Sequence, residues 1–323
     1  MKSWSAGKRS TRGFEPTHDT PLGMRGVWTA LITPFSSSGE IDWAAFERLL
    51  QDQKDAGISG VIPCGTTGEA PTLSADEKKQ LIERAVRFMK GSKTKVFAGT
   101  GTNSTSETVT GSRWAADQGV DGILVVTPYY NKPSAAGLEA HFRSVADAVS
   151  CELMLYNVPG RTGISLTAET ISSLAAHPKI RSLKEATGNV AFTSEILDLV
   201  ESQGRKIDIL GGDDATYLPL LSVGGVGVVS VASNLFPRAM VAIQTAFDTG
   251  KVQEAISLQK KFYPLFRDLF LESNPVPVKA AMHLAGWCEP YVRAPLAPFS
   301  ESGRKKLEAS LKRCEISSGR KPL

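Results

Sequence analysis

Short apolar runs alternate with longer amphipathic stretches along the chain from Met24 to Phe247. The short runs predict β-strands, and the longer stretches predict helices because their apolar residues recur every three or four positions. Leu81, Ile82 and Ala85, for example, fall on one face of a helix. The predicted strands span residues 26–34, 60–64, 95–99, 122–127, 152–157, 180–184, 207–210 and 227–231. The predicted helices between them span residues 42–55, 75–89, 105–118, 135–148, 168–176, 190–202, 215–222 and 237–247.

Eight strand–helix units, spaced by roughly 30 residues, are typical of the α/β fold known as the (β/α)8 TIM barrel. An open doubly wound sheet is the alternative, but it usually carries a glycine-rich turn after its first strand, where this chain has TPFSSSGE. Beyond Phe247 the pattern is wholly helical, at residues 252–271, 276–285 and 302–311. We therefore expect a barrel over residues 24–248 and a C-terminal helical domain with a tail over residues 249–323.

Residues 1–23 show no apolar periodicity and are rich in basic residues, serine and threonine. They also lack the apolar core of a secretory signal. A disordered arm, a targeting segment and a stretch upstream of the true start are the three interpretations. We favour a disordered or artefactual arm, because Met24 opens the first apolar strand.

Composition narrows the class of protein. The net charge of +4 over 323 residues is mild, and it does not indicate a partner nucleic acid. No apolar run approaches the ~20 residues that span a membrane. The four cysteines are far apart and form no CxxC pair, which suits free thiols in a reducing compartment, so we expect a cytoplasmic protein. The four histidines have no zinc-like spacing, so we expect no metal.

Polar motifs follow five of the predicted strands, at the barrel end where active sites lie. Each motif alone has a structural explanation, such as a tight turn, an aspartate that caps a helix, a tyrosine-rich interface or a lysine that reaches solvent. Their coincidence at one end of one barrel instead indicates a reaction. The motifs are GTTGE (65–69), TPYYNKP (127–133), YNVPGRTG (156–163), KEATG (184–188) and GGDD (211–214).

The residue types in these motifs suit the chemistry of a small keto acid such as pyruvate. Burial at a strand end disfavours the charged form of Lys184, and a neutral amine is the form that attacks a ketone. The planar guanidinium of Arg161 suits a substrate carboxylate. Threonine and tyrosine hydroxyls both donate and accept hydrogen bonds, so they can relay protons during imine formation.

With the five motifs in order, residues from about 24 to about 311 resemble the dihydrodipicolinate synthase family, within the N-acetylneuraminate lyase superfamily. The resemblance implies a TIM barrel with a C-terminal helical domain, assembled as a homotetramer of two dimers. It implies condensation of pyruvate with L-aspartate 4-semialdehyde to 4-hydroxy-tetrahydrodipicolinate, the first committed step of lysine and diaminopimelate biosynthesis. It implies no metal or organic cofactor.

The resemblance also assigns catalytic roles to four residues. Lys184 would form the Schiff base with pyruvate, and Tyr156 beside it would donate and accept protons. Thr66 and Tyr130 would complete a proton relay, with Tyr130 reaching in from the neighbouring subunit.

Substrate binding would fall to three further residues. Thr67 and the backbone at Val229 would hold the pyruvate carboxylate, and Arg161 would meet the carboxylate of the semialdehyde. Sialic-acid lyases of the superfamily tend to carry GSTGE and to lack this arginine. A sibling class I aldolase for sialic or sugar acids therefore remains an alternative, as does a catalytically inactive pyruvate-binding protein.

An allosteric lysine site is a further expectation from the resemblance. In lysine-inhibited members it uses residues that match Asn103, Glu107 and Tyr129. Those members favour histidine or a carboxylate in the helix after GTTGE, where this chain has Ala75 and Lys78. A Lys78 ammonium would repel a lysine ligand, so we expect weak or absent feedback by lysine.

Overall fold

The computed structural model describes residues 23–314, and their strands form one closed barrel of eight parallel strands. Each strand pairs with the next in the chain, and the last pairs with the first. The predicted (β/α)8 barrel is therefore confirmed. The strands are β1 (Gly26–Ala30), β2 (Gly60–Ile62), β3 (Lys95–Gly99), β4 (Gly122–Val126), β5 (Glu152–Asn157), β6 (Ile180–Glu185), β7 (Asp208–Gly211) and β8 (Gly227–Ser230).

Helices surround the barrel, and three more follow it in the chain, as the sequence pattern predicts. The barrel helices are α1 (Trp43–Asp55), α2 (Ala75–Met89), α3 (Thr105–Asp117), α4 (Ala135–Ala148), α5 (Pro159–Thr162), α6 (Ala168–Leu174), α7 (Val190–Ser202), α8 (Tyr217–Ser222) and α9 (Pro237–Asp248). The C-terminal helices are α10 (Val252–Asp268), α11 (Val276–Leu284) and α12 (Glu301–Arg313). Within residues 23–314 no helix has the length and apolar character needed to cross a membrane.

The first strand is shorter than its apolar run predicts. The run extends to residue 34, but the paired strand ends at Ala30. Beyond it, the backbone N–H of Ile32 donates to the side chain of Asn234 at 3.0 Å rather than to a neighbouring strand. The apolar pattern reflects burial, and burial continues beyond Ala30, the last residue of β1.

The interior of the barrel is filled by large rings, for which glycines leave room. The rings of Trp28 and Phe97 meet edge to face with centroids 4.8 Å apart. A Cβ on Gly60 would lie 2.2 Å from the Trp28 ring, and one on Gly122 would lie 2.4 Å from the Phe97 ring. The indole N–H of Trp28 donates to the carbonyl of Met24 at 2.9 Å, so this buried ring also has its hydrogen bond.

The expected N-terminal arm at residues 1–23 lies outside the described residues, apart from Gly23, and so does the tail from residue 315 onward. The first described residues join the barrel directly. Met24 is buried, and its backbone N–H donates to the Asp208 carboxylate at 2.8 Å.

Candidate active site

Lys184 and Tyr156 lie side by side on neighbouring strands, near the carboxyl ends of β6 and β5. They are partners in the strand register, and the Lys184 Nζ lies 4.2 Å from the centroid of the Tyr156 ring. Both side chains are buried, with 5% of Lys184 and 6% of Tyr156 exposed. The lysine amine and the tyrosine ring are therefore held together inside the barrel by strand pairing.

Thr66 and Thr67 lie in a tight turn after β2. The N–H groups of Gly68 and Glu69 donate back to the carbonyls of Gly65 and Thr66, both at 3.1 Å. Glu69 has a φ of 56°, in the left-handed region that a side chain rarely adopts, so external contacts must hold the turn in this shape. The turn presents Thr67 as a buried residue and Thr66 as a half-buried one.

The C-terminal helical segment supplies those external contacts. The Glu69 carboxylate accepts from the Lys279 ammonium at 2.5 Å and from the backbone N–H of Arg293 at 2.9 Å. Lys279 and Glu69 are both fully buried, so this is an ion pair without water. Burial lowers the pKa of Lys279, while the neighbouring Glu69 charge opposes that shift.

Asn274, which precedes α11, connects two of the predicted binding residues. Its side-chain Nδ2 donates to the Thr67 hydroxyl at 2.9 Å. Its backbone carbonyl accepts from the guanidinium of Arg161 at 3.1 Å. A residue of the C-terminal segment thus lies between the second and fifth strand ends.

These side chains surround a cavity of about 520 Å³ at the mouth of the barrel. Lys184, Tyr156, Thr67, Arg161 and Asn274 all line it. A second cavity of about 250 Å³ shares Tyr156 and Arg161 with the first, so the two adjoin. An amine nucleophile, a phenol, a hydroxyl and a guanidinium therefore face one space that can hold a small keto acid.

Two buried carboxyl groups support the strand ends around Lys184. Glu185 accepts from the Asn157 amide at 2.8 Å, and burial raises its pKa. Asp214 accepts from the backbone N–H groups of Val231 at 3.0 Å and Ala232 at 2.8 Å, and burial raises its pKa to about 6. Asp214 therefore fixes the chain where it leaves β8.

Gly212 leaves the space into which the Lys184 side chain extends. A Cβ at this position would lie 2.5 Å from the Ala186 Cβ and 3.2 Å from the Lys184 Cε. At the preceding Gly211, the nearest atom to such a Cβ would be 3.5 Å away. Of the two glycines of GGDD, only Gly212 is therefore required by close packing, mainly against Ala186 and less tightly against Lys184.

The sequence profile of the Dihydrodipicolinate synthetase family matches residues 23–314 of the chain. The chain belongs to this family. A relative from Leptospira biflexa, named 4-hydroxy-tetrahydrodipicolinate synthase, is 47% identical over 278 residues, which cover 86% of this chain and 93% of the relative. The resemblance predicted from the motifs is confirmed, together with the enzyme activity that it implied.

Solved structures of the family have the same fold. The 4-hydroxy-tetrahydrodipicolinate synthase of Methylacidiphilum fumariolicum is 44% identical, with a TM-score of 0.87 over 90% of this chain and 95% of that chain. The chloride-inhibited dihydrodipicolinate synthase of Acinetobacter baumannii, solved with pyruvate, is 38% identical, with a TM-score of 0.87 over 91% of this chain and 99% of that chain.

Not every residue that family membership suggests lies in these cavities. Thr66 and Tyr129 line the smaller one. Tyr130 lines neither, and its side chain is 90% exposed at a φ of 71°. The Val229 side chain is fully buried inside the barrel, which leaves its backbone as the group that a substrate could meet.

In the sequence, the predicted allosteric residues are near residues that line the smaller cavity. Asn103 accepts from the Asn131 amide at 2.8 Å through its backbone carbonyl, while Glu107 is exposed in the first turn of α3. Of the three predicted allosteric residues, Tyr129 lines the smaller cavity, and Lys78 lines it as well.

Sequence reasoning missed Asn274, Gly212 and the role of Asp214. The GGDD motif was noted, but its explanation as a turn with a cap applies to Asp213, which accepts from the backbone N–H of Ala215 at 3.0 Å. Asn274 follows a helix outside the barrel and lies 207 positions from Thr67 in the chain, so no local pattern links them.

Proposed function

We propose that the chain condenses pyruvate with L-aspartate 4-semialdehyde through a Schiff base on Lys184, forming 4-hydroxy-tetrahydrodipicolinate. The observation that carries the proposal is the buried Lys184 amine, 4.2 Å from the Tyr156 ring, in a cavity that also holds Thr67 and Arg161. The pyruvate complex of the Acinetobacter baumannii relative supports the first substrate.

In the first half of the reaction, the Lys184 amine attacks the ketone carbon of pyruvate. Water leaves, and a carbon–nitrogen double bond replaces the carbon–oxygen bond. In this proposal the Tyr156 hydroxyl passes protons to the departing oxygen, with Thr66 next in the relay. Its support is that Tyr156 lines both cavities and that its ring lies 4.2 Å from the amine. The Thr67 hydroxyl donates to the pyruvate carboxylate.

In the second half, loss of a methyl proton converts the imine to an enamine, whose carbon attacks the aldehyde carbon of the semialdehyde. The amino group of the semialdehyde then attacks the imine carbon, which closes the ring and releases Lys184. Arg161 binds the semialdehyde carboxylate, because its guanidinium lines the cavity beside Lys184.

A coupled assay tests the proposal. Purified protein receives pyruvate, L-aspartate 4-semialdehyde and the downstream reductase, and nicotinamide oxidation is followed. In a parallel reaction with N-acetylneuraminate, lactate dehydrogenase reports the pyruvate that cleavage would release. We expect turnover only with the semialdehyde. Turnover only with N-acetylneuraminate would instead assign a sibling lyase, and silence with both would indicate a pyruvate-binding protein.

Borohydride trapping tests the Schiff base itself. Pyruvate and borohydride should add a stable adduct to the peptide that contains Lys184, and Lys184→Ala should abolish both the adduct and turnover. The matched control is Lys179→Met at the opposite end of β6, because Lys179 bonds to the carbonyl of Ala146 and lines neither cavity. An adduct retained in Lys184→Ala would refute the assignment.

We further propose a homotetramer of two dimers in which Tyr130 serves the neighbouring subunit. Its exposed side chain, outside both cavities of its own chain, supports this role. Co-expression of Tyr130→Phe with Lys184→Ala tests whether Tyr130 acts in the neighbouring subunit or in its own. If Tyr130 acts across the interface, mixed dimers regain one intact site, and random pairing gives about a quarter of wild-type activity. No recovery would show that Tyr130 acts within its own subunit, and full activity of Tyr130→Phe by itself would show that Tyr130 is not needed.

We propose weak or absent feedback by lysine, and a cytoplasmic location. The regulatory part of the proposal rests on the Lys78 ammonium, which lines the same cavity as Tyr129 and would repel a lysine side chain. Inhibition titrations with lysine should show little effect on the wild-type protein. Strong inhibition at submillimolar lysine would contradict the proposal.

A further inference from the structure

Asn274 contacts two of the proposed substrate-binding residues, Thr67 and Arg161, from outside the barrel. It lies between α10 and α11 and is 6% exposed. Thr67 is 1% exposed, so its hydroxyl cannot exchange partners freely with bulk water. The direction of the Thr67 proton therefore depends on the protein groups around it.

The orientation of the Asn274 amide sets that direction, because its Nδ2 faces the Thr67 hydroxyl while its buried Oδ1 has no hydrogen-bond partner among the described residues. A side-chain NH2 group can only donate, so Nδ2 of Asn274 makes the Thr67 oxygen an acceptor. A threonine hydroxyl has a single proton, and that proton is then free to point into the cavity. A carboxylate accepts hydrogen bonds and donates none, so this is the orientation that binds the carboxylate of a keto acid.

We propose that Asn274 is a positioning residue that sets the Thr67 hydroxyl as a donor to the pyruvate carboxylate. The inference rests on the proposed function, because it assumes that Thr67 binds this carboxylate. The neighbouring Glu69 contacts support it, since Lys279 and Arg293 fix the same turn and so hold Thr67 within reach of the amide.

The bond between Arg161 and the backbone of Asn274 makes side-chain changes at Asn274 affect one substrate more than the other. Arg161 bonds to the carbonyl of Asn274, not to its side chain, so side-chain substitutions leave that bond available. Changes at Asn274 should therefore weaken the use of pyruvate more than the use of the semialdehyde. A merely structural role would affect both substrates and the stability together.

Two substitutions separate donor orientation from packing. Asn274→Ala removes the donor, and we expect a rise of about three- to tenfold in the pyruvate concentration for half-maximal borohydride trapping. Asn274→Asp keeps the shape but offers only acceptors, so it draws the Thr67 proton away from the cavity and adds a repelling charge. We expect it to raise that concentration by at least about thirtyfold. In Asn274→Ala, which adds no charge, KM for the semialdehyde should change by less than about threefold.

A double-mutant cycle with Thr67→Val shows whether the effect passes through Thr67. Asn274→Ala should add little to Thr67→Val, because the valine has no hydroxyl to orient. Additive effects, equal effects of Ala and Asp, or pyruvate trapping unchanged in both would overturn the inference. Failure of the wild-type protein to be trapped would instead reject the proposed function, so the two failures are distinguishable.

Discussion

Removal of the Lys279 ammonium should destabilise the protein strongly, because the charge of Glu69 would remain buried without its cation. Lys279 and Glu69 are 0% and 1% exposed, and their charged atoms are 2.5 Å apart. Lys279 also donates to the Tyr291 carbonyl at 2.7 Å. Breaking one side of such a pair costs about 3–5 kcal/mol, so Lys279→Met should lower the free energy of unfolding by that amount.

Urea and thermal unfolding measure the effect, with a fall of roughly 5–10 °C expected in Tm. The double variant Glu69→Gln, Lys279→Met removes both charges and keeps an acceptor for the Arg293 N–H. It should be more stable than Lys279→Met by about 2 kcal/mol. The control Lys305→Met breaks the exposed pair with Glu301, which are 76% and 86% exposed, and should leave both transitions unchanged.

The cycle has outcomes that would refute the reasoning. If Lys279→Met were as stable as Lys305→Met, the buried charge of Glu69 would carry no cost, and the ion pair would not hold the turn. If the double variant were destabilised by the sum of the two single effects, the residues would act independently. The kinetics provide a second measure, because loosening the turn at Glu69 should also raise the pyruvate concentration needed for trapping.

Three further predictions concern the site and its pH dependence. Gly212→Ala should lower kcat about a hundredfold by displacing Lys184, while Gly211→Ala should lower it less than threefold; equal effects would contradict the packing argument. Arg161→Ala should raise KM for the semialdehyde about tenfold or more with pyruvate trapping nearly intact, and lost trapping would place Arg161 in the first half-reaction. Burial lowers the pKa of His141 from 6.5 to about 4, so the unfolded state binds the extra proton first, and stability falls as the pH drops through this interval. In urea titrations between pH 6.5 and pH 4, the wild-type protein should lose about 3 kcal/mol of unfolding free energy that His141→Gln does not lose. Equal losses in the two proteins would contradict this prediction.

The barrel could be predicted because local apolar runs in the sequence mark its strands. The contacts that support the site could not be predicted, because they join residues that are far apart in the chain. Each strand of a parallel barrel is buried on both sides, so β3 and β5 stand out as apolar runs, and their observed bounds equal the predicted ones. Lys184 and Arg161 were predictable because strand ends meet at one face of the barrel. Asn274 and Lys279 were not, because their partners are over 200 positions away and only the packing of the C-terminal helices brings them together.

The rings packed inside the barrel also determine the end from which a substrate can reach Lys184. Trp28 and Phe97 fill the barrel interior, with no Cβ at Gly60 or Gly122 to displace them. Reactants that approach Lys184 must therefore come from the mouth, where the larger cavity lies. In the proposed reaction, the semialdehyde must enter through the same opening after pyruvate has bonded to Lys184. Competition between excess semialdehyde and pyruvate for this opening is the kinetic consequence that the closed end of the barrel predicts.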